Sequence, residues 1–167
     1  MRSAPHGTIR GTIRRRRRRR LAAVAWAAVV LAAGAACGDA TGPRDELSDA
    51  RARWRASRPD AYAFTLQVGC FCIAEVTSPV IVEVHGTTVV SRRYEATGEP
   101  VDARWAAAFP SVDGLFEVIE SAVAGGADRL HTEYDPTRGF PREIFVDYYE
   151  NMADDEMAYV VRDLRAL

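Results

Sequence analysis

YDPTRGFPREIFVDYYENMADDEMAYVV, residues 134–161, is the most regularly patterned stretch of the chain, and its periodicity decides the fold class. It divides into three short strands joined by two polar turns. Leu130 to Tyr134 runs into Asp135-Pro136, with Gly139 three residues after the proline. That is turn chemistry, because Pro presets φ and Gly accepts a positive φ. Pro141 then opens a strand in which Ile144, Val146 and Tyr148 share one face. Glu143, Phe145, Asp147 and Tyr149 share the other, wetter face. Residues 150–156 are polar and acidic, and Met157 to Leu164 alternates again, so an antiparallel meander is predicted.

The chain before this stretch reads the same way. Pro43 to Ser57 is predicted as a helix, with Pro43 at its start, Asp45 and Glu46 in the first turn, and Leu47, Ala50 and Trp54 as one apolar stripe. Trp54 is expected in the core. Arg58-Pro59 ends the helix. Tyr62 to Cys70 alternates as a strand, and Pro79 to Val84 and Thr87 to Tyr94 flank His85-Gly86 as a hairpin. Asp102 caps a short helix carrying Trp105 and Phe109, which Pro110 closes. Ser111 or Asp113 caps the next helix, where Val112, Leu115, Phe116, Ile119 and Val123 form the core stripe and Gly125-Gly126 the stop. Helix, strand, Pro-led strand and third strand therefore occur in both halves. The expected fold is α+β: an antiparallel sheet of about six strands with helices packed on one face, patterned as two α-β-β-β units.

Four short patterns carry a family resemblance: Cys70-Phe71-Cys72 ahead of a Val-rich strand, Val112-Asp-Gly-Leu-Phe116 before a helix, Gly139-Phe-Pro141, and Asp154-Asp155-Glu156. Over most of residues 44–163 the chain resembles an uncharacterised bacterial lipoprotein family known as domain of unknown function 6174. The resemblance implies a small secreted or lipid-anchored domain and brings no activity or cofactor with it.

The N-terminal segment reads as an address. Arg14 to Arg20 is an unbroken arginine run, Leu21 to Ala36 is apolar or small without a charge, and Cys37 follows. A basic region, an apolar region and small residues before a cut define a secretory signal peptide at residues 1–36. Its 16 apolar residues reach roughly 24 Å as a helix, short of a ~30 Å hydrocarbon core. Ala35-Ala36-Cys37 has the small residues that a lipoprotein peptidase requires, although Gly34 stands where Leu is usual. Cys37 is the expected lipid-attachment site, residues 37–43 a lipidated tether, and residues 44–167 a single α+β domain exported to the bacterial cell envelope, facing the periplasm or exterior.

Removing residues 1–36 takes away nine of 22 basic residues and none of the 23 acidic ones, so the remaining chain carries about −10. Such a charge argues against nucleic-acid binding and leaves the lipid anchor as the expected membrane contact. No Gly-x-Ser-x-Gly elbow, phosphate loop, dinucleotide fingerprint or paired-His motif occurs, and the only histidines after residue 36 are His85 and His131. No catalytic residue, cofactor or metal site is therefore marked, and the chain is read as no enzyme.

Two constellations remain. Cys70 and Cys72 are expected to be oxidised to each other in an exported protein. Free thiols, an intermolecular bond and a redox or metal role are the other readings. Asp147, Glu150, Asn151, Asp154, Asp155 and Glu156 supply enough oxygens for calcium without the EF-hand order, and a solvated turn is the plainer alternative. The functional classes are then a non-catalytic module that binds an envelope protein or polymer, or a redox or metal-binding protein.

Overall fold

The computed structural model describes residues 42–149, 152 and 154–167. Helix α1 spans Pro43–Ser57, with its proline in the first turn and Asp45 and Glu46 beside the positive end of the helix dipole. Leu47, Ala50 and Trp54 are its buried stripe. Strand β1 (Ala61–Gly69) follows, then a one-turn helix α2 (Ala74–Thr77), β2 (Val80–His85) and β3 (Thr88–Tyr94). A 3-10 helix at Ala103–Ala108 leads into α3 (Val112–Gly125), and β4 (Arg129–Tyr134), β5 (Pro141–Asp147) and β6 (Met157–Ala166) complete the chain. Ser111 caps α3 by accepting a hydrogen bond from the Gly114 amide at 3.2 Å, and Gly126 ends it at φ 69°.

The six strands form one antiparallel sheet in the order β3-β2-β1-β6-β5-β4. Each half is a meander, and the two meanders join through β1 and β6, the first and last strands of the domain. Leu66 lies between Val80 and Val161, Val68 beside Tyr159, and Tyr159 beside Ile144. These side chains are buried and form one continuous apolar face. Trp54, Leu115, Phe116 and Ile119 of the helices belong to the same core. The α-β-β-β order occurs twice, with α2 and the 3-10 helix added in the first half. A four-residue helix is too short to show a 3.6-residue period, which is why α2 leaves no sequence signal. Within α3 the stripe closes on Ala122, and Val123 is only half-buried.

The turn before β5 is built against α1. The Asp135 carboxylate accepts hydrogen bonds from the amides of Thr137 at 3.0 Å and Arg138 at 2.7 Å, an Asx turn. Gly139 follows at φ 80°, so close to α1 that a Cβ there would stand 2.2 Å from the Ala50 carbonyl oxygen. The approach delivers Phe140 edge-on to Trp54, with ring centroids 6.1 Å apart, while Trp54 meets Tyr62 of β1 at 5.3 Å. Arg138 closes the turn, stacking on Phe140 and donating to the Leu164 carbonyl at 3.1 Å. The Gly-Phe-Pro pattern is thus a clamp joining helix, sheet and last strand.

Candidate functional site

The register places two connections at one end of the sheet. Gly69 pairs with Ala158, and Val146 with Met157, so the segment after β1 and the segment between β5 and β6 lie at the same end. Cys70 packs against the core, and its sulfur lies 2.03 Å from that of Cys72, bonding distance. Val76 of α2 is buried below them, and the Tyr94 hydroxyl donates to the Glu75 carbonyl at 3.0 Å. Phe71, between the cysteines, is 86% exposed.

The acidic residues at this end are less uniform than their sequence suggests. Asp147, assigned by alternation to the wetter face of its strand, is only 2% exposed, because it closes β5 where the chain turns. Its Oδ1 accepts a hydrogen bond from the Tyr149 amide at 3.1 Å. Both carboxylate oxygens of Asp155 are buried without a hydrogen-bond partner among the described residues, whereas Asp154 and Glu156 are exposed. Glu150 and Asn151 lie outside the described residues, as do residues 1–41 with the expected signal segment and Cys37. Among the described residues no three His, Cys, Asp or Glu side chains are arranged to hold a metal ion. The structure therefore brings Cys70 and Cys72 together, and among the described residues Asp147, Asp154, Asp155 and Glu156 are not arranged around a common ion position.

A second feature lies between the helices. Arg51 pairs with Glu120, and Arg58 Nη1 meets Asp113 Oδ2 at 2.6 Å, tying α1 to α3. The Arg51 guanidinium also sits 5.3 Å from the Phe116 ring centroid. A cavity of about 610 Å³ opens beside this ladder, lined by Arg44, Leu47, Arg51, Arg55, Glu120 and Val123. An adjoining one of about 720 Å³ is lined by Arg51, Arg55, Arg58, Asp113, Glu117 and Glu120. The sequence signal was present: arginines at 51, 55 and 58 recur every helical turn beside the apolar stripe. Below the ladder, burial pushes the Tyr62 phenol up to about 12, and the Asp113 carboxylate adds to the effect. The Val112 amide and Arg58 oppose it; the amide contact falls short of bonding geometry, leaving the hydroxyl without a hydrogen-bond partner.

The sheet face opposite the core has its own polar centre. Buried Thr65 of β1 donates to Glu95 Oε1 at 3.2 Å, and Arg162 of β6 lies 3.6 Å from Glu95 Oε2. His131 is exposed on edge strand β4, 3.8 Å from Glu133, and His85 is exposed 3.0 Å from Glu83.

A family model matches residues 46–166, from the first turn of α1 to the end of β6. The chain belongs to DUF6174, a family of unknown function. The DUF6174 match takes in the Cys70–Cys72 segment, the inter-helix ladder, the Gly-Phe-Pro clamp and the acidic connection, and leaves Cys37 and the apolar stretch 21–36 outside. No curated protein and no solved structure matches the chain.

Proposed function

We propose that this is a lipid-anchored protein of the bacterial cell envelope whose DUF6174 domain is a non-catalytic binding module for an envelope protein or polymer. The observation that carries it is the order of the N-terminal segment: arginine run, apolar stretch, Ala35-Ala36-Cys37, then five residues before α1 begins. Two or more acyl chains hold a protein stably at a bilayer, each buried CH₂ contributing about 0.8 kcal/mol. Support for a binding role comes from the face across the sheet from the core, where Thr65, Glu95 and Arg162 form a polar centre at the middle of the sheet, with β4 an edge strand two places from β6. An edge strand offers unpaired backbone groups for a partner, and polar side chains beside it supply selectivity.

Mass spectrometry of the membrane-fraction protein tests the anchor: an N-terminal Cys37 bearing acyl groups is expected, and Cys37→Ser removes them. Retention of Met1, or unmodified Cys37 in a cytosolic fraction, would overturn it. Envelope material captured by immobilised domain and lost with Arg162→Glu supports the helix-free face; capture unchanged by that substitution moves the partner elsewhere.

A further inference from the structure

The geometry points to the end of the sheet that carries Phe71, Ile73, Tyr149 and Met152 as a second membrane contact, laid against the lipid headgroup region. The inference rests on the acylation of Cys37 proposed above. Six large apolar side chains are strongly exposed among the described residues, and four are at this end: Phe71 at 86%, Ile73 at 49%, Tyr149 at 61% and Met152 at 54%. Val90 and Leu167, the other two, are at the opposite end, where Val89 pairs with Val84, Val84 with Tyr62, and the Leu167 amide with the Ala61 carbonyl. Such clustering of apolar loop tips marks an interaction surface rather than scattered surface residues. Phe71 lies between the two cysteines and ahead of the helical turn that buries Val76.

The occupant is argued from where the chain outside the described residues ends. Gly42 leads directly into α1, and Arg44 and Leu47 share a cavity with Val123 and Ala124 at the end of α3. The next residue, Gly125, abuts the Tyr148 ring, with Cε1 3.5 Å from where a Cβ would be. The tether therefore enters the domain on the side where α3 meets the Tyr148–Tyr149 segment. Four residues separate Cys37 from Gly42, and the five Cα–Cα steps between them reach at most about 18 Å. An acyl group at Cys37 thus keeps these loop tips close to the bilayer at high effective concentration, so a weak apolar contact is enough to orient the domain. Glu75, Asp154 and Glu156, just beyond these residues in the same two connections, are exposed, so an anionic lipid surface opposes the contact and a zwitterionic one does not.

The test uses the full chain, acylated at Cys37 as verified by mass spectrometry, in phosphatidylcholine vesicles carrying spin-labelled lipid. Phe71→Trp reports this end and Val90→Trp the opposite end, each read as the quenching added to wild-type fluorescence. Quenching at position 71 is expected to exceed that at position 90 by about two-fold or more, and to fall when anionic lipid is mixed in at low salt. Equal quenching at the two positions in verified acylated protein would overturn the contact while leaving the anchor intact. So would an indole at position 71 that is shielded in intact envelopes but not in pure lipid, which would give this end to a protein partner. Protein that carries no acyl group fails at the first step and refutes the anchor instead.

Discussion

Replacing Gly139 by alanine should destabilise the domain more than the same change at any other positive-φ glycine among the described residues. Two costs combine there. A left-handed conformation costs an L-residue about 1–2 kcal/mol, and Gly139 holds φ 80°. The added Cβ would stand 2.2 Å from the Ala50 carbonyl oxygen and 2.8 Å from Arg53 Cβ. Relief requires the turn to back away from α1, which withdraws Phe140 from Trp54 and strains packing by a further ~1–3 kcal/mol. The sum is about 2–5 kcal/mol, a large share of the ~5–15 kcal/mol typical of a domain. Gly98 is the internal control, since it holds φ 71° with nothing within 4 Å of a Cβ. Gly98→Ala should therefore cost only the conformational part, about 1–2 kcal/mol. Urea titrations of both variants against wild type measure the difference through the midpoint at constant slope. Equal midpoints for the two variants would refute the contact between Gly139 and α1 as the reason for glycine at that position.

Other outcomes follow from the inter-helix ladder, the core and the cysteines. Arg58 and Asp113, with side chains 27% and 33% exposed, should show a coupling of only about 1 kcal/mol or less in a double-mutant cycle of Arg58→Ala and Asp113→Ala that adds salt as a variable. The Tyr62 phenol, held at about 12, keeps its proton in the folded state after an unfolded tyrosine near 10 has lost it. Its contribution to stability is complete below pH 10 and is lost as pH rises from 10 to about 12, so Tyr62→Phe should flatten the alkaline limb of a stability–pH curve. Asp163 is the one non-glycine at positive φ among the described residues, at 54° in the bulge where β6 passes Ala63 and Thr65; Asp163→Val should lower stability by about 1–2 kcal/mol in the same urea assay. Oxidation expected for an exported Cys-x-Cys pair predicts that Cys70 and Cys72 react with a thiol reagent only after reductant is added.

Elements whose cause is local were legible in the sequence. Proline, cap residue, apolar stripe and Gly-Gly stop define α1 and α3, because each acts within a turn or two of chain. Alternation marked β1, β5 and β6, and Trp54 was assigned to the core where it is found. Membership of DUF6174 was legible as well, through short patterns in order. Strand order was not: periodicity tells which face of a strand is apolar, and is silent on which strand lies beside it. The pairing of β1 with β6 depends on residues such as Leu66 and Val161 being buried together across almost the whole domain. The burial of Asp147, the backbone contact at Gly139 and the bond between Arg58 and Asp113 likewise exist only once distant segments meet. Local chemistry chose the elements of this protein, and the shared apolar face, which no single element can bury alone, chose their neighbours.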